Sequence, residues 1–64
     1  MKIKGYKNVE LIGDVDLFTL SYTPDIKGGK PNRLILDADN EADALSEAAS
    51  FLGCKEKDLH VEWT

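Results

Sequence analysis

The chain has 64 residues, of which 42% are apolar, and a net charge of −4. This composition is typical of a globular protein and excludes intrinsic disorder, and no apolar run approaches the ~18 residues that a transmembrane helix requires. The length predicts one small domain over residues 1–64, and the single cysteine, Cys54, excludes an internal disulfide and favours a reducing, cytoplasmic location.

Alternation with a period of two residues predicts the first two strands. In residues 2–12 the apolar side chains of one face are Ile3, Val9 and Leu11, whereas Tyr6 and Ile12 fall on the polar face. Residues 15–23 are rich in residues that favour strands and carry apolar groups on both faces, which indicates a central strand. Pro24 is expected to end it, because proline cannot donate a backbone hydrogen bond.

A loop separates the second strand from a third. Residues 24–32 contain two prolines and a Gly-Gly pair, which exclude regular structure. Such a connection is longer than most hairpin loops, so we expect it to be either mobile or functional. Residues 33–38 alternate again and predict a third strand, with Leu34 and Leu36 on one face.

One amphipathic helix is predicted from about Glu41. Asn40 or Asp39 is suited to cap its N-terminus, and Gly53 is suited to end it in the left-handed conformation. The apolar residues that recur at helical spacing predict the face that packs on the sheet: Ala42, Leu45, Ala48, Ala49 and Leu52.

Residues 58–63 alternate cleanly and predict a fourth, half-buried strand. The predicted fold is therefore α+β, with the order β-β-β-α-β and one helix packed across one face of a small antiparallel or mixed sheet. If the third and fourth strands are parallel neighbours, the helix between them makes a right-handed crossover. The predicted core comprises Ile3, Val9, Leu11, Phe18, Leu20, Tyr22, Leu34, Leu36, Leu45, Ala49, Leu52, Leu59, Val61 and Trp63.

A single helix leaves the second face of such a sheet uncovered. The side chains predicted on that face, among polar ones, are Tyr6, Ile12, Val15, Leu17, Ile35 and His60. Contiguous apolar patches usually mark contacts, so this open sheet face is a candidate surface for a protein partner or for a homodimer. The alternative interpretations are a different strand register or partial cover by the loop of residues 24–32.

Charge segregates along the chain, and the helical region is the most acidic part. Its carboxylates are Asp37, Asp39, Glu41, Asp43 and Glu47. The helix dipole and capping account for those in the first turn, and a solvated helix face is the simplest interpretation of the remainder. Asp37 precedes the helix and Glu47 lies beyond its first turn, so these two favour an acidic surface that binds a basic protein, including one whose groove otherwise holds phosphates.

Basic residues suggest an alternative function in nucleic-acid binding. They occur in the N-terminal strand, as Lys2, Lys4 and Lys7, and in the loop that leads to the third strand, as Lys27, Lys30 and Arg33. The loop lacks the spacing of a phosphate-binding loop and precedes a strand rather than a helix. Because the whole chain is acidic, unlike most nucleic-acid-binding domains, a solvated hairpin loop is the simpler interpretation.

No pattern in the sequence indicates catalysis, a metal site or a cofactor. Asp58, His60 and Glu62 alternate on one strand face about 7 Å apart, which is too far for one metal ion without further ligands. Cys54 follows the helix rather than preceding it, so nothing lowers the pKa of its thiol. We therefore expect a non-enzymatic protein-interaction module.

Overall fold

A computed structural model describes residues 3–15 and 17–64 of the chain. Lys2 and Asp16, which the sequence places in the first two strands, lie outside the described residues. The α+β fold and the order β-β-β-α-β are confirmed. The elements are β1 (Tyr6–Gly13), β2 (Phe18–Pro24), β3 (Asn32–Leu36), helix α1 (Glu41–Leu52), a short 3₁₀ helix (Glu56–Asp58) and β4 (Val61–Trp63).

The sheet is mixed, with the strand order β3-β2-β1-β4. β1 and β2 pair antiparallel, as do β2 and β3, whereas β4 lies parallel to β1. β3 and β4 are thus at opposite edges, so the condition for a crossover between adjacent parallel strands is not met. α1 links β3 and β4, which are the two edge strands of the sheet, so it crosses the middle of the sheet and can cover both β1 and β3. A helix between adjacent strands would lie near one edge.

β1 contains a bulge that reverses the side-chain alternation predicted for it. Lys7 pairs with Thr23 but Glu10 pairs with Ser21, so two residues of β1 lie opposite a single residue of β2. Asn8 lies within this bulge and adopts a φ of 54°, in the left-handed region that asparagine tolerates better than most residues. Tyr6 therefore shares a face with the core rather than with the open side.

The core lies between α1 and one face of the sheet. The largest of its fully enclosed side chains are Leu11 on β1 and Leu20 on β2. On the helix the buried stripe is centred on Ala44, Ala48 and Leu52. The predicted stripe is thus slightly misplaced: Ala42 is exposed, and Leu45 is only half-buried.

Trp63 is the clearest departure from the predicted core, because 59% of it is exposed. It belongs to the edge strand β4, and its ring packs edge-to-face against Phe18 with ring centroids 5.6 Å apart. Tyr22 and Leu34, also predicted in the core, are half-buried and pack against it. The other predicted sheet residues of the core, including Ile3, Leu36 and Val61, are buried.

The ends of α1 are formed as the sequence predicts. The Asn40 side chain accepts a hydrogen bond from the Asp43 backbone N–H at 2.9 Å, so Asn40 rather than Asp39 is the cap. Gly53 adopts a φ of 73°, and its N–H donates to the Ala49 carbonyl. These local bonds satisfy backbone groups that the helix itself leaves unpaired.

Replacing Asn40 with alanine is expected to lower the free energy of unfolding by about 1 kcal/mol, because the first turn loses its side-chain acceptor. Urea unfolding monitored by far-ultraviolet circular dichroism measures this loss. Asp39→Ala is the matched control, since it removes an adjacent exposed side chain that does not cap the helix. An equal loss in both variants would contradict the assignment of the cap.

Candidate interaction surfaces

Apolar side chains of the uncovered sheet face gather at one end of the sheet. Ile12, Thr19 and Ile35 lie side by side on β1, β2 and β3. Ile35 is 67% exposed and Leu17, which precedes β2, is 40% exposed. The next row of this face is polar, with Glu10, Ser21 and Arg33 as its members. We call Ile12, Leu17 and Ile35 the open patch.

Three of the residues predicted on this face, Tyr6, Val15 and His60, are not part of the open patch. Tyr6 was predicted here wrongly, since the bulge in β1 places it on the helix side, where its ring packs edge-to-face on Tyr22 at 5.6 Å. Val15 is 93% exposed but lies in the turn between β1 and β2 rather than on the sheet.

His60 is exposed just before β4, and its Nε2 lies 3.9 Å from Oε1 of Glu62. This contact becomes an ion pair only when the imidazole is protonated. Among residues 3–15 and 17–64, no group of three or more His, Cys, Asp or Glu side chains is arranged to hold a metal ion.

Carboxylates concentrate at the same end of the molecule as the open patch. β1 and β3 both end there, since Gly13, Phe18 and Leu36 form one row across the sheet, and α1 begins there. This acidic end, as we name it, comprises Asp14, Asp37, Asp39, Glu41, Asp43, Glu47 and Glu62. The fold thus brings together acidic residues that lie in separate segments of the sequence.

Several of these carboxylates also stabilise the local backbone. Glu47 accepts a hydrogen bond from the Asp37 backbone N–H at 3.2 Å, which ties α1 to the end of β3. Asp43 accepts one from the Asn40 amide at 3.1 Å, and Asp14 accepts one from the Val15 N–H at 2.6 Å. Glu47, for which the sequence suggests a solvated helix face or a partner-binding surface, therefore has a structural role as well.

The acidic side of α1 forms a shallow concavity with the end of β3. Its lining is polar throughout and consists of Asp37, Asp43, Ser46, Glu47 and Ser50. The Glu47–Asp37 hydrogen bond fixes the two elements that form this concavity relative to each other. Charge of one sign in a concave surface raises the local concentration of oppositely charged groups.

The opposite end of the molecule carries the basic residues. Lys4 lines one concavity together with Lys55 and Lys57, beside Ile3 and Cys54. Lys27 and Lys30 lie nearby in the connection between β2 and β3, because the Asp25 N–H donates to the Gly5 carbonyl. Arg33 is exposed on the open face of β3. The grouping of Lys4 with Lys55 and Lys57 depends on the chain reversal after α1, which no local sequence pattern predicts.

The connection between β2 and β3 is closed by local bonds. The Gly29 N–H donates to the Ile26 carbonyl, and the Asn32 side-chain amide donates to the Lys30 carbonyl, each at 3.0 Å. This segment is therefore a structured hairpin connection. Lys27 and Lys30 remain exposed within it.

Cys54 is partly enclosed where the chain turns after α1. Burial raises the pKa of its thiol, and the negative charge of Asp58 raises it further, although a backbone hydrogen bond opposes both effects. The thiolate form is thus disfavoured in the folded chain. This direction extends the sequence-based expectation that nothing activates this cysteine.

Alkylation of Cys54 by iodoacetamide near pH 8 is expected to be several-fold slower in the folded chain than in urea, because only the thiolate reacts. Because folding raises the thiol pKa, deprotonation of Cys54 favours the unfolded chain. The contribution of the protonated thiol to stability is therefore fully present below the unfolded pKa and is lost as the pH rises through the folded pKa. Asp58→Asn is expected to accelerate the reaction of the folded chain. An unchanged reaction rate in Asp58→Asn would show that the charge of Asp58 does not raise the thiol pKa.

Within the described part of the chain, no helix is long and apolar enough to cross a membrane. The protein is defined structurally as a small α+β fold, in which one helix covers a four-stranded mixed sheet. Comparison with family models, with curated proteins and with solved structures finds no significant match to this chain.

Proposed function

We propose that this chain is a non-enzymatic protein-interaction domain that binds a cationic protein partner through its acidic end and the adjoining open patch. The observation that carries the proposal is the proximity of these two surfaces. Ile12 is flanked on β4 by Glu62, and Ile35 is followed at the end of β3 by Asp37. An apolar centre with carboxylates along its border resembles the anatomy of protein-binding surfaces, in which a polar rim surrounds an apolar core.

The two parts of this surface would have different roles. The carboxylates would attract and orient a basic partner over a distance, which increases the association rate and makes it depend on salt. Ile35 and Leu17 would supply the apolar area that slows dissociation. A partner with cationic side chains around an apolar anchor fits this surface. The single free thiol is consistent with a cytoplasmic site of action.

Binding of two model peptides tests this proposal. An amphipathic lysine–leucine peptide is expected to bind more tightly than an oligolysine of equal charge, because only the former has an apolar anchor. Isothermal titration calorimetry at low and physiological salt measures both affinities. Equal affinities would contradict a role for the open patch, and no binding of either peptide at low salt would overturn the proposed function.

Charge reversal locates the site on the molecule. Asp39→Lys/Glu41→Lys is expected to weaken binding of the amphipathic peptide about ten-fold at low salt. The matched control is Asp25→Lys/Glu56→Lys, which makes the same change in net charge at the opposite end. Equal losses in both variants would mean that net charge, rather than the acidic end, determines the affinity.

The basic end supports a second candidate, nucleic-acid binding. The observation in its favour is the concavity that Lys4 shares with Lys55 and Lys57, beside the lysines of the β2–β3 connection. Asp58 lines the same concavity and weakens the positive potential. An electrophoretic shift of single-stranded DNA at low salt that is lost in Lys4→Glu/Lys57→Glu would support this function. No shift at low salt would remove it.

A further inference from the structure

The free edge of β3 has unpaired backbone groups at two known positions. The Asp14 N–H donates to the Leu17 carbonyl, so these two residues form a hydrogen-bonded pair between the chain segments of β1 and β2. In an antiparallel ladder such pairs recur at every second residue. The β2 residues that lie between these pairs direct their backbone groups toward β3 instead. Their partners on β3, Leu34 and Leu36, therefore direct their own backbone groups toward β2. Those of Arg33 and Ile35 therefore point away from the sheet.

No other described segment covers this edge. Within residues 3–15 and 17–64, β3 pairs only with β2. The Asp37 N–H, which would continue the row, is already bound to Glu47, and Pro31 before the strand has no N–H. The available donors of the edge are thus those of Arg33 and Ile35. Unpaired edges of this kind readily accept another strand.

The side chains of this edge are self-complementary when two copies run antiparallel. Arg33, Ile35 and Asp37 follow one another at alternate positions. In a pairing centred on Ile35, Ile35 of one copy lies opposite Ile35 of the other, and Arg33 of each copy lies opposite Asp37 of the other. Directly opposite apolar side chains and unlike charges both stabilise a strand pair.

We infer that this chain forms a homodimer by antiparallel pairing of the two β3 edges around Ile35, which joins the two sheets into one of eight strands. The Arg33 N–H of each copy donates to the Asp37 carbonyl of the other, and the two Ile35 residues exchange their backbone hydrogen bonds. A two-fold axis relates the copies, as in most soluble dimers. The inference does not depend on the proposed partner of the acidic end.

The paired edges also explain the exposure of Ile35. Ile35 is 67% exposed in the single chain, on a strand that has no gatekeeping lysine at its centre. Each five-residue edge buries a limited area, so the dimer is expected to be weak and concentration-dependent. Leu34, half-buried on the helix face, gains a neighbour from Leu36 of the second copy in the same register.

Sedimentation velocity over a wide concentration range tests whether the dimer forms. The wild-type chain is expected to shift from monomer toward dimer as the concentration rises. Ile35→Lys is expected to remain monomeric, because it places two cations directly opposite each other. Val15→Lys changes another exposed apolar residue, which lies in the turn between β1 and β2 rather than on the β3 edge, and should dimerise as the wild type does. A wild type that stays monomeric throughout would overturn the inference.

Charge exchange tests the register. Arg33→Glu and Asp37→Arg are each expected to lose dimerisation, since each places like charges opposite each other. An equimolar mixture of the two variants is expected to recover it, because both cross-strand pairs are then unlike. Both side chains are exposed, and circular dichroism of each variant verifies that it folds. A mixture that remains monomeric while the wild type dimerises would contradict this pairing.

Amide hydrogen exchange identifies the groups involved. The N–H groups of Arg33 and Ile35 are expected to be protected at high concentration and to exchange faster on dilution, because only the dimer pairs them. The Leu34 N–H, which points toward β2, should be protected at both concentrations. Concentration-dependent protection confined to other residues would place the dimer interface elsewhere and overturn the proposal.

Discussion

Leu20→Ala is expected to lower the free energy of unfolding by about 2–5 kcal/mol, which is most or all of the stability of a chain this small. Leu20 is fully enclosed and lies on the central strand β2, between Leu11 on β1 and Leu34 on β3. The smaller side chain would leave a cavity that the surrounding sheet and helix cannot easily fill. Urea unfolding monitored by circular dichroism measures the loss.

The control for this experiment is Leu17→Ala, which makes the same chemical change at a side chain that is 40% exposed. Its expected cost is well below that of Leu20→Ala, because water already contacts Leu17. If Leu20→Ala does not fold at all, Leu20→Val provides a measurable variant with an expected cost of about 1 kcal/mol. A cost of Leu20→Ala no greater than that of Leu17→Ala would contradict the assigned core.

The helix was predictable from the sequence because its signals are local. Asn40 before it and Gly53 after it mark the ends through side-chain and backbone chemistry that acts within one turn. Its orientation was less predictable. Ala42 and Ala44 are chemically identical, so periodicity alone could not show that Ala44 faces the sheet and Ala42 faces water.

The strands were predicted too long, because the positions of their ends depend on tertiary contacts that the local alternation does not show. β1 begins at Tyr6 rather than near residue 2, since Gly5 adopts a φ of 89° and Ile3 forms a bridge to Tyr6 across this turn. β4 begins at Val61, because Glu56–Asp58 form a 3₁₀ turn that the polar residues alone did not reveal.

For the candidate surfaces, the sequence predicted most of the residues that take part but not which of them lie next to one another. The open patch retained Ile12, Leu17 and Ile35 but lost Tyr6, because one extra residue in β1 exchanges the two faces of a strand. Asn8 is the local signal of this bulge, since asparagine tolerates a positive φ better than most residues. The joining of the acidic residues with this patch is a consequence of tertiary structure.

Gly13→Ala is expected to destabilise the fold by about 1–3 kcal/mol, because it overfills the contact between β1 and β4. A Cβ atom at position 13 would lie 2.7 Å from Cγ1 of Val61 and 2.8 Å from Cε3 of Trp63, so both side chains would have to move. Glycine at this position therefore lets the tryptophan ring lie against the end of β1 and contact Phe18.

The tryptophan reports this displacement directly, since Trp63 is the only tryptophan in the chain. In Gly13→Ala its fluorescence is expected to shift to longer wavelength, because the displaced ring becomes more exposed to water. Gly5→Ala is the matched control: it makes the same change at a positive φ, but its Cβ meets nothing within 4 Å. It should lower stability through its backbone without moving the emission maximum.

A double-mutant cycle separates the clash from other effects of the alanine. Trp63→Ala removes the ring that a Cβ at position 13 would meet, so the cost of Gly13→Ala should be smaller in that background than in the wild type. Part of the cost should remain, since Val61 still lies within 2.7 Å of the added atom. Strictly additive costs would show that the Trp63 ring does not rest on Gly13 in solution.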